Sequence, residues 1–406
     1  MSAAELAAAA VVWLCLAVCA GVYFGYPALL LLLARLRPRP VRRRAPGEEP
    51  RSATLVIPVH NEEAVIAEKL ANSLALRYPA EKLDVLVVSD GSTDATDAIV
   101  RREAARAGGR VRLLPLARCG KAAALDEGAR SARGELLVLS DANAQLEPES
   151  LEWLTAPFAD PEVGGVCGRK RHRRRGTEAA DATAEGESLY WRWEQWQKAL
   201  ESRIGSVYAA DGTLYALRRT LYVPIADPAQ ADDIAVSARV VLQGYRLLFE
   251  PRAVAWEEPP AEGREELRRK VRVTNHSVRA LRNLGPALWT SGFYSLELLA
   301  HKLLRHLVPF FLPPLLLASA ALAPRAPLYA ALFAAQLLFY VLAAAGFLLR
   351  GARLGRAAPL AVPYYFCLVN AAAFLGVLSI LRGRRLQAWT PRGGLEPERA
   401  EQGVER

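Results

Sequence analysis

Residues 6–34 carry no charged side chain; the apolar run is interrupted only by aromatics, Gly21, Gly25 and Pro27. At helical rise, a stretch of this length crosses a hydrocarbon core of about 30 Å, so the chain is expected to fold at a bilayer. A secretory signal peptide would place positive charge ahead of the apolar run, and here Glu5 stands there instead. Arg35, Arg37, Arg39, Arg42, Arg43 and Arg44 follow the run. That asymmetry puts the N-terminus outside and residue 35 onward in the cytoplasm. Three further apolar runs, at about 303–323, 328–349 and 359–381, close the chain. If all three cross, the tail with Arg382, Arg384 and Arg385 ends outside, against the positive-inside tendency. The last run is broken by Pro363 and holds Asn370, so re-entry is the alternative.

Between these ends, apolar strand-like runs alternate with helical patterns. "ATLVIPVHNEE" ends at Pro58 and runs into His60, Asn61, Glu62 and Glu63. Ala64, Ile66, Leu70, Leu74 and Leu76 then give an apolar helical face. "LDVLVVSDGSTD" stops at Asp90, with Ser92 or Thr93 available to cap the next helix. "VRLLPL" leads to a glycine-lysine turn at Gly120 and Lys121, and "GELLVLSDANAQL" delivers Asp141 and Asn143 to the end of a buried strand. This alternation implies a doubly wound, mostly parallel α/β sheet, with its ligand outside the carboxyl ends of the strands. Pro58, Asp90 and Asp141 all fall there. After the first strand, Val59, His60 and Asn61 stand where a dinucleotide fingerprint needs glycines, and no phosphate-loop motif is present.

Two acids, Asp232 and Asp233, open a later helix. Acids at a helix start are commonly caps that favour the dipole. At the mouth of a sheet that already carries Asp90 and Asp141, they also suit a catalytic base. A net charge of +10 raises nucleic acid as a partner, but the arginines cluster beside apolar runs and in "GRKRHRRR", with little aromatic interleaving. Membrane-surface and phosphate contacts account for them, and no nucleic acid is expected. The five cysteines show no metal-ligand or disulfide spacing.

Read in order, "IPVHNEE", "VVSDGSTDAT", "GKAAALDEGA", "SDAN", "DGTLYALRR" and "DDIAVSARVVLQGYR" resemble the membrane-bound glycosyltransferase family 2 enzymes, which include cellulose, chitin, hyaluronan and poly-N-acetylglucosamine synthases. The resemblance covers about residues 50–285 and the flanking spans. It implies a GT-A type nucleotide-sugar-binding sheet flanked by transmembrane helices. It further implies that Asp90 and the Pro58, Asn61 and Glu63 loop hold the nucleotide, with Lys121 as a further nucleotide contact. Asp141 and Asn143 then stand for the Asp-x-Asp motif that holds Mg²⁺ or Mn²⁺ on the diphosphate. The second aspartate is replaced by a neutral amide oxygen, a weaker ligand for a hard cation.

By the same resemblance Asp233 is the general base, with Asp232 the alternative. Asp211 and Gly212 fall in an acceptor-site loop, and Trp191, Trp193 and Trp196 could offer flat faces to sugar rings or pack at the membrane interface. Processive relatives carry Gln-x-x-Arg-Trp where this chain has Arg269, Arg272 and Val273. Arg272 could bind the diphosphate, but the missing tryptophan weakens the case for polymer synthesis. The stretch also reads as a basic helix lying on anionic lipid.

The chain is therefore expected to divide into an N-terminal span (1–34), a basic linker (35–50), a cytoplasmic glycosyltransferase domain (51–262), interfacial helices (263–300), membrane helices (301–382) and a polar tail (383–406). The expected activity is inverting transfer of a hexose or N-acetylhexosamine from a nucleotide diphosphate donor, with UDP expected by resemblance, to a hydroxyl of a glycan or lipid acceptor at the plasma (inner) membrane. Single transfer to polyprenyl phosphate or another lipid carrier is the rival within enzymes. A non-catalytic nucleotide-sugar-fold membrane protein is the rival outside them. A transporter is disfavoured because too few spans carry polar faces; Gln336 and Asn370 are among the few polar residues that could line a path for an exported glycan, and an anchor or lipid-acceptor site is the alternative use of the spans.

Overall fold

The computed structural model describes residues 2–45, 47–172, 182–258 and 263–384. Pro46 of the linker, Arg173, Arg174 and Arg175 of the basic stretch, and the tail 385–406 with Arg385 lie outside the described residues. The strands are β1 (Ala53–Val59), β2 (Leu83–Asp90), β3 (Val111–Leu116), β4 (Leu136–Ser140), β5 (Gln145–Leu146), β6 (Val163–His172), β7 (Leu214–Arg218) and β8 (Arg246–Glu257). The helices used below are α1 (Ala3–Leu36), α2 (Ile66–Leu74), α3 (Thr96–Arg106), α4 (Lys121–Ser131), α5 (Ala182–Ile204), α6 (Asp232–Leu242), α7 (Gly263–Asn283), α8 (Phe293–Phe310), α9 (Leu312–Leu322), α10 (Pro327–Leu348) and α11 (Ala358–Leu381).

All eight strands form one sheet in the order β3-β2-β1-β4-β7-β6-β8-β5. β3, β2, β1 and β4 run parallel; β7 is antiparallel to β4 and β6, and β8 runs parallel to β6. β1 and β4 are buried along their whole length, as expected of strands covered by helices on both faces. One core face gathers Leu55, Ile57, Val85, Val138 and Phe158; the other gathers Val56, Leu86, Leu125, Leu137 and Phe249. α4 can lie close on the second face because residue 128 is glycine: a Cβ there would stand 2.6 Å from Val56 Cγ1. That close fit fixes the axis that carries Lys121 at its first turn.

Two local readings change. α3 begins at Thr96, and its opening amide is bound by Asp94 Oδ1 at 3.0 Å rather than by Ser92 or Thr93. Those two residues instead meet the loop after β1: Asn61 N–H donates to Ser92 Oγ, and Thr93 N–H donates to Asn61 Oδ1 at 2.8 Å. The expected run at 303–323 is not one straight helix. α8 and α9 meet at 51°, where Pro309, Pro313 and Pro314 remove backbone donors.

α1, α10 and α11 are each long and apolar enough to cross a membrane, and α8 with α9 would add one broken span. α1 packs on α9 through Val12, Cys15, Leu315 and Leu322, and Glu5 pairs with Arg325 at 2.9 Å. α11 continues through Pro363 and lies lengthwise, in parallel, against the amphipathic α7. Tyr365 donates to Glu266 near one end, Gly376 abuts Thr274, and Asn275 and Arg279 donate to Ser379 Oγ (2.7 Å) and the Arg384 carbonyl (2.9 Å) at the other.

Candidate active site

A cavity of about 1090 Å³ opens at the carboxyl ends of the strands and continues between the apolar helices. Of the residues expected at a site, Pro58, Lys121, Asp141, Asn143, Asp211, Gly212, Asp232, Asp233, Arg269 and Arg272 line it. β4 ends one residue before Asp141, and α6 starts on Asp232 and Asp233. Gly212 lies between these elements: a Cβ there would be 3.8 Å from Asp141 Oδ2 and 4.0 Å from Asp233 Oδ2. Asp141 Oδ2 and Asp233 Oδ2 therefore both lie beside residue 212, at ordinary contact distance from where a side chain there would begin.

Lys121 Nζ stands between two carboxylates, 3.0 Å from Asp141 Oδ1 and 3.0 Å from Asp232 Oδ2. Burial works against the lysine's charge, but Asp141 and Asp232 outweigh it and hold the ammonium well above its usual range. Burial raises the Asp141 carboxyl; Lys121 opposes this, while Glu257 and Asp232 add to it. Asp233 is raised to about 6, by burial first and then by Asp232 and Asp211, with Lys302 opposing. Its Oδ1 accepts the Ile234 N–H at 2.8 Å, which leaves Oδ2 toward Gly212.

Three expected nucleotide-pocket residues lie outside the cavity lining. The Asp90 carboxylate is fully buried and bound by the Arg118 guanidinium and by the amides of Cys119 (2.6 Å) and Gly120 (3.0 Å). Burial alone would raise this carboxyl, yet those hydrogen bonds carry it below its ordinary value. Gly91, at φ +62, permits the closure, since a Cβ would lie 2.8 Å from Arg118 N. Asp90 thus clamps the loop that leads into Lys121. Asn61 and Glu63 brace the turn before α3, Glu63 by accepting the Ala95 N–H at 2.9 Å. Arg269 lines the cavity with its guanidinium bound to Glu187 (2.7 Å) and Glu266 (2.8 Å). Asp211 pairs with the fully buried Lys198 at 2.9 Å. Trp191 and Trp193 line the cavity, whereas Trp196 lies outside its lining and is 42% exposed.

Several residues at the site carried no signal in sequence. Lys69 of α2 is fully buried and donates to Ser140 Oγ (2.9 Å) and the Ala144 carbonyl, so it anchors both sides of the Asp141 to Asn143 loop. Burial lowers this lysine to about 7, although Asp141 and Glu257 pull the other way. Its place in a helical repeat resembles an ordinary surface position. Glu194, Tyr208, Lys302 and Arg305 also line the cavity, with Arg305 paired to Glu194 and Lys302 over the Tyr208 ring at 5.3 Å.

The donor set suits a hard divalent cation only in part. Among the described residues no group of three or more His, Cys, Asp or Glu side chains could cage a metal. One carboxylate and one amide oxygen facing a cavity match a cation completed by substrate phosphates and water. A cationic group, Lys121, already sits against Asp141. The residues present therefore fit a metal that arrives with its diphosphate.

A mostly parallel sheet with acids at its strand ends and a glycine loop between them is the geometry of a GT-A fold. Residues 54–219 match the family model described as Glycosyl transferase family 2, and the chain carries a glycosyltransferase family 2 domain. It is 29% identical over 216 residues to the probable glycosyltransferase YdaM of Bacillus subtilis, covering 51% of this chain and 50% of that protein. It is 28% identical over 215 residues to the poly-beta-1,6-N-acetyl-D-glucosamine synthase of Staphylococcus aureus, covering 52% and 50%. The match thus spans about half the length of these relatives. Among solved structures, the mannosyltransferase PcManGT from Pyrobaculum calidifontis, in complex with GDP-Man and Mn²⁺, aligns with a TM-score of 0.65 at 26% identity, over 90% of this chain and 99% of that one.

Proposed function

We propose that this chain is a membrane-integrated inverting glycosyltransferase that moves a sugar from a nucleoside-diphosphate donor to an acceptor hydroxyl. The observation that carries the reading is the convergence of Asp141 and Asp233 beside Gly212 at the mouth of the cavity. Asp141 and Asn143 would hold a divalent cation together with the donor phosphates; when bound, it would neutralise the charge on the departing diphosphate. Lys121 is placed to turn from Asp141 toward the same phosphates. Asp233 Oδ2 accepts the proton of the acceptor hydroxyl as that oxygen bonds to the anomeric carbon and the bond to the diphosphate breaks. A carboxyl held near 6 is ionised at neutral pH yet basic enough to assist a hydroxyl. Asp232 is held by Lys121, which favours Asp233 as the base. Asp90, Asn61 and Glu63 act on the donor through the loops they brace.

In the proposed orientation the catalytic domain faces the cytoplasm and α1 crosses the membrane. UDP-sugars are the first donors to test, on the resemblance of the sequence motifs, and GDP-mannose the second, on the ligand of the archaeal relative. Protein in lipid nanodiscs is incubated with Mn²⁺ or Mg²⁺ and UDP-N-acetylglucosamine, UDP-glucose or GDP-mannose, and release of the nucleoside diphosphate is measured. Release with one donor that is lost in Asp233→Asn supports the proposal. Folded protein that releases nothing with any donor refutes it.

A further inference from the structure

The cavity does not end at the catalytic acids. Beyond them it passes a collar of aromatic rings and enters the apolar helices. Tyr23 of α1 lies 6.1 Å from Trp193 and 5.5 Å from Phe366 of α11, and Phe366 lies 5.3 Å from Phe339 of α10, centroid to centroid. All four rings line the cavity. Past the collar the walls are Leu16, Ala20, Leu315, Leu332, Ala335 and Val369.

Two features show what such a chamber can hold. It opens sideways: Phe24 and Val362 line it and are 75% and 44% exposed. It is also stopped at the far end, where Val12, Cys15, Leu315 and Leu322 close into a packed cluster with Glu5 and Arg325 paired nearby. A path for a growing glycan would need polar groups along its length. Gln336 and Asn370 line this part of the cavity, and both turn their amide N–H groups back onto the helices, Gln336 to Ser319 Oγ and its own Leu332 carbonyl and Asn370 to the Phe366 carbonyl.

Resting on the transferase reading above, we infer that this chamber takes the hydrocarbon chain of a lipid acceptor whose headgroup hydroxyl is presented to Asp233. The lipid enters beside Phe24 and Val362, its headgroup passes the aromatic collar, and Tyr23 and Trp193 sit at the polar boundary that such rings favour. In the transfer the headgroup oxygen bonds to the anomeric carbon, its proton goes to Asp233, and the nucleoside diphosphate leaves with the electron pair.

The test uses the full chain in nanodiscs, the donor found active by nucleoside diphosphate release, and two acceptors with the same hydroxyls, methyl β-glucoside and dodecyl β-glucoside. Diacylglycerol and undecaprenyl phosphate serve as further probes. Each buried methylene favours the long-chain acceptor about fourfold, so the expected kcat/KM ratio of dodecyl to methyl glucoside exceeds 100, with labelled product in the organic phase. Ala20→Phe and Ala335→Phe fill exposed chamber positions and are expected to lower that ratio at least tenfold.

Equal use of the two glucosides, water-soluble high-molecular-weight product, or donor hydrolysis without transfer to any lipid overturns the inference and leaves the transferase reading standing. Sugar transferred to undecaprenyl phosphate alone, in an acid-labile linkage, overturns the hydroxyl assignment. If no nucleoside diphosphate is released with any donor, the transferase reading falls, and this inference with it.

Discussion

Replacing Asp233 by asparagine separates the chemical use of this carboxylate from any structural one. In the folded protein its carboxyl stands at about 6 instead of 3.8, raised first by burial and then by Asp232 and Asp211 against the pull of Lys302. Each tenfold change in ionisation is worth about 1.36 kcal/mol, so ionised Asp233 costs the fold at most about 3 kcal/mol at neutral pH. The sign follows from proton affinity. The folded state holds this proton more tightly than the unfolded chain, so the penalty is absent below about pH 4 and grows as pH rises through about 6.

Asparagine keeps an Oδ1 for the Ile234 N–H and carries no charge. Asp233→Asn is therefore expected to melt a few degrees higher than the parent near neutral pH and alike near pH 4, with no sugar transfer at either. Thermal shift in detergent across this range, run beside nucleoside diphosphate release, reads both effects. In the parent, transfer should fall about tenfold for each pH unit below about 6. A variant that melts lower near neutral pH would mean that Asp233 chiefly holds the start of α6. A variant that still transfers sugar would refute its role as base.

Gly212→Ala is expected to fold normally, since its Cβ meets neighbours only at 3.8 Å and beyond. The added methyl stands beside Asp141 and Asp233, so kcat/KM for the acceptor should drop at least tenfold with the melting temperature unchanged. Lys69→Met removes a buried charge together with its hold on Ser140 and Ala144; donor KM should rise several-fold while stability changes little, as followed by donor titration and thermal shift. Chelation with EDTA should abolish transfer and Mn²⁺ should restore it. Asn143→Asp adds a charged ligand and should lower the Mn²⁺ concentration needed for half-maximal activity.

The catalytic sheet was legible because its strands are short apolar runs that end on polar residues, and the side-chain period places those ends together. Asp141 and the Asp232 and Asp233 pair could be placed at one mouth of the sheet from that logic, whereas Lys121, and Asp233 in preference to Asp232, came only from the family resemblance. Asp90 shows the limit: a motif places a carboxylate at a strand end, but only the packing of Arg118 over Gly91 turns it away from the cavity. Lys69 was hidden because helical periodicity counts apolar positions, and a lysine buried by the loop of a distant strand leaves no periodic trace. The break between α8 and α9 was written in Pro309, Pro313 and Pro314, yet hydropathy averages over them. The chamber required the pairing of α1, α10 and α11, a tertiary fact with no short-range signature.

The lengthwise seating of α11 on α7 also bears on how the last apolar run meets a membrane. A helix held by the same amphipathic helix at Tyr365 and again at Ser379 and Arg384 is tied to it along most of its length. Were α1, the α8 and α9 pair, and α10 the crossing elements, the count would be odd, and Arg350, Arg353, Arg356, Arg382 and Arg384 would share the compartment of the catalytic domain. In that arrangement the last apolar helix acts as a rafter under the transferase, and a cysteine placed at Arg384 would react with a membrane-impermeant reagent only after the cytoplasmic face is opened.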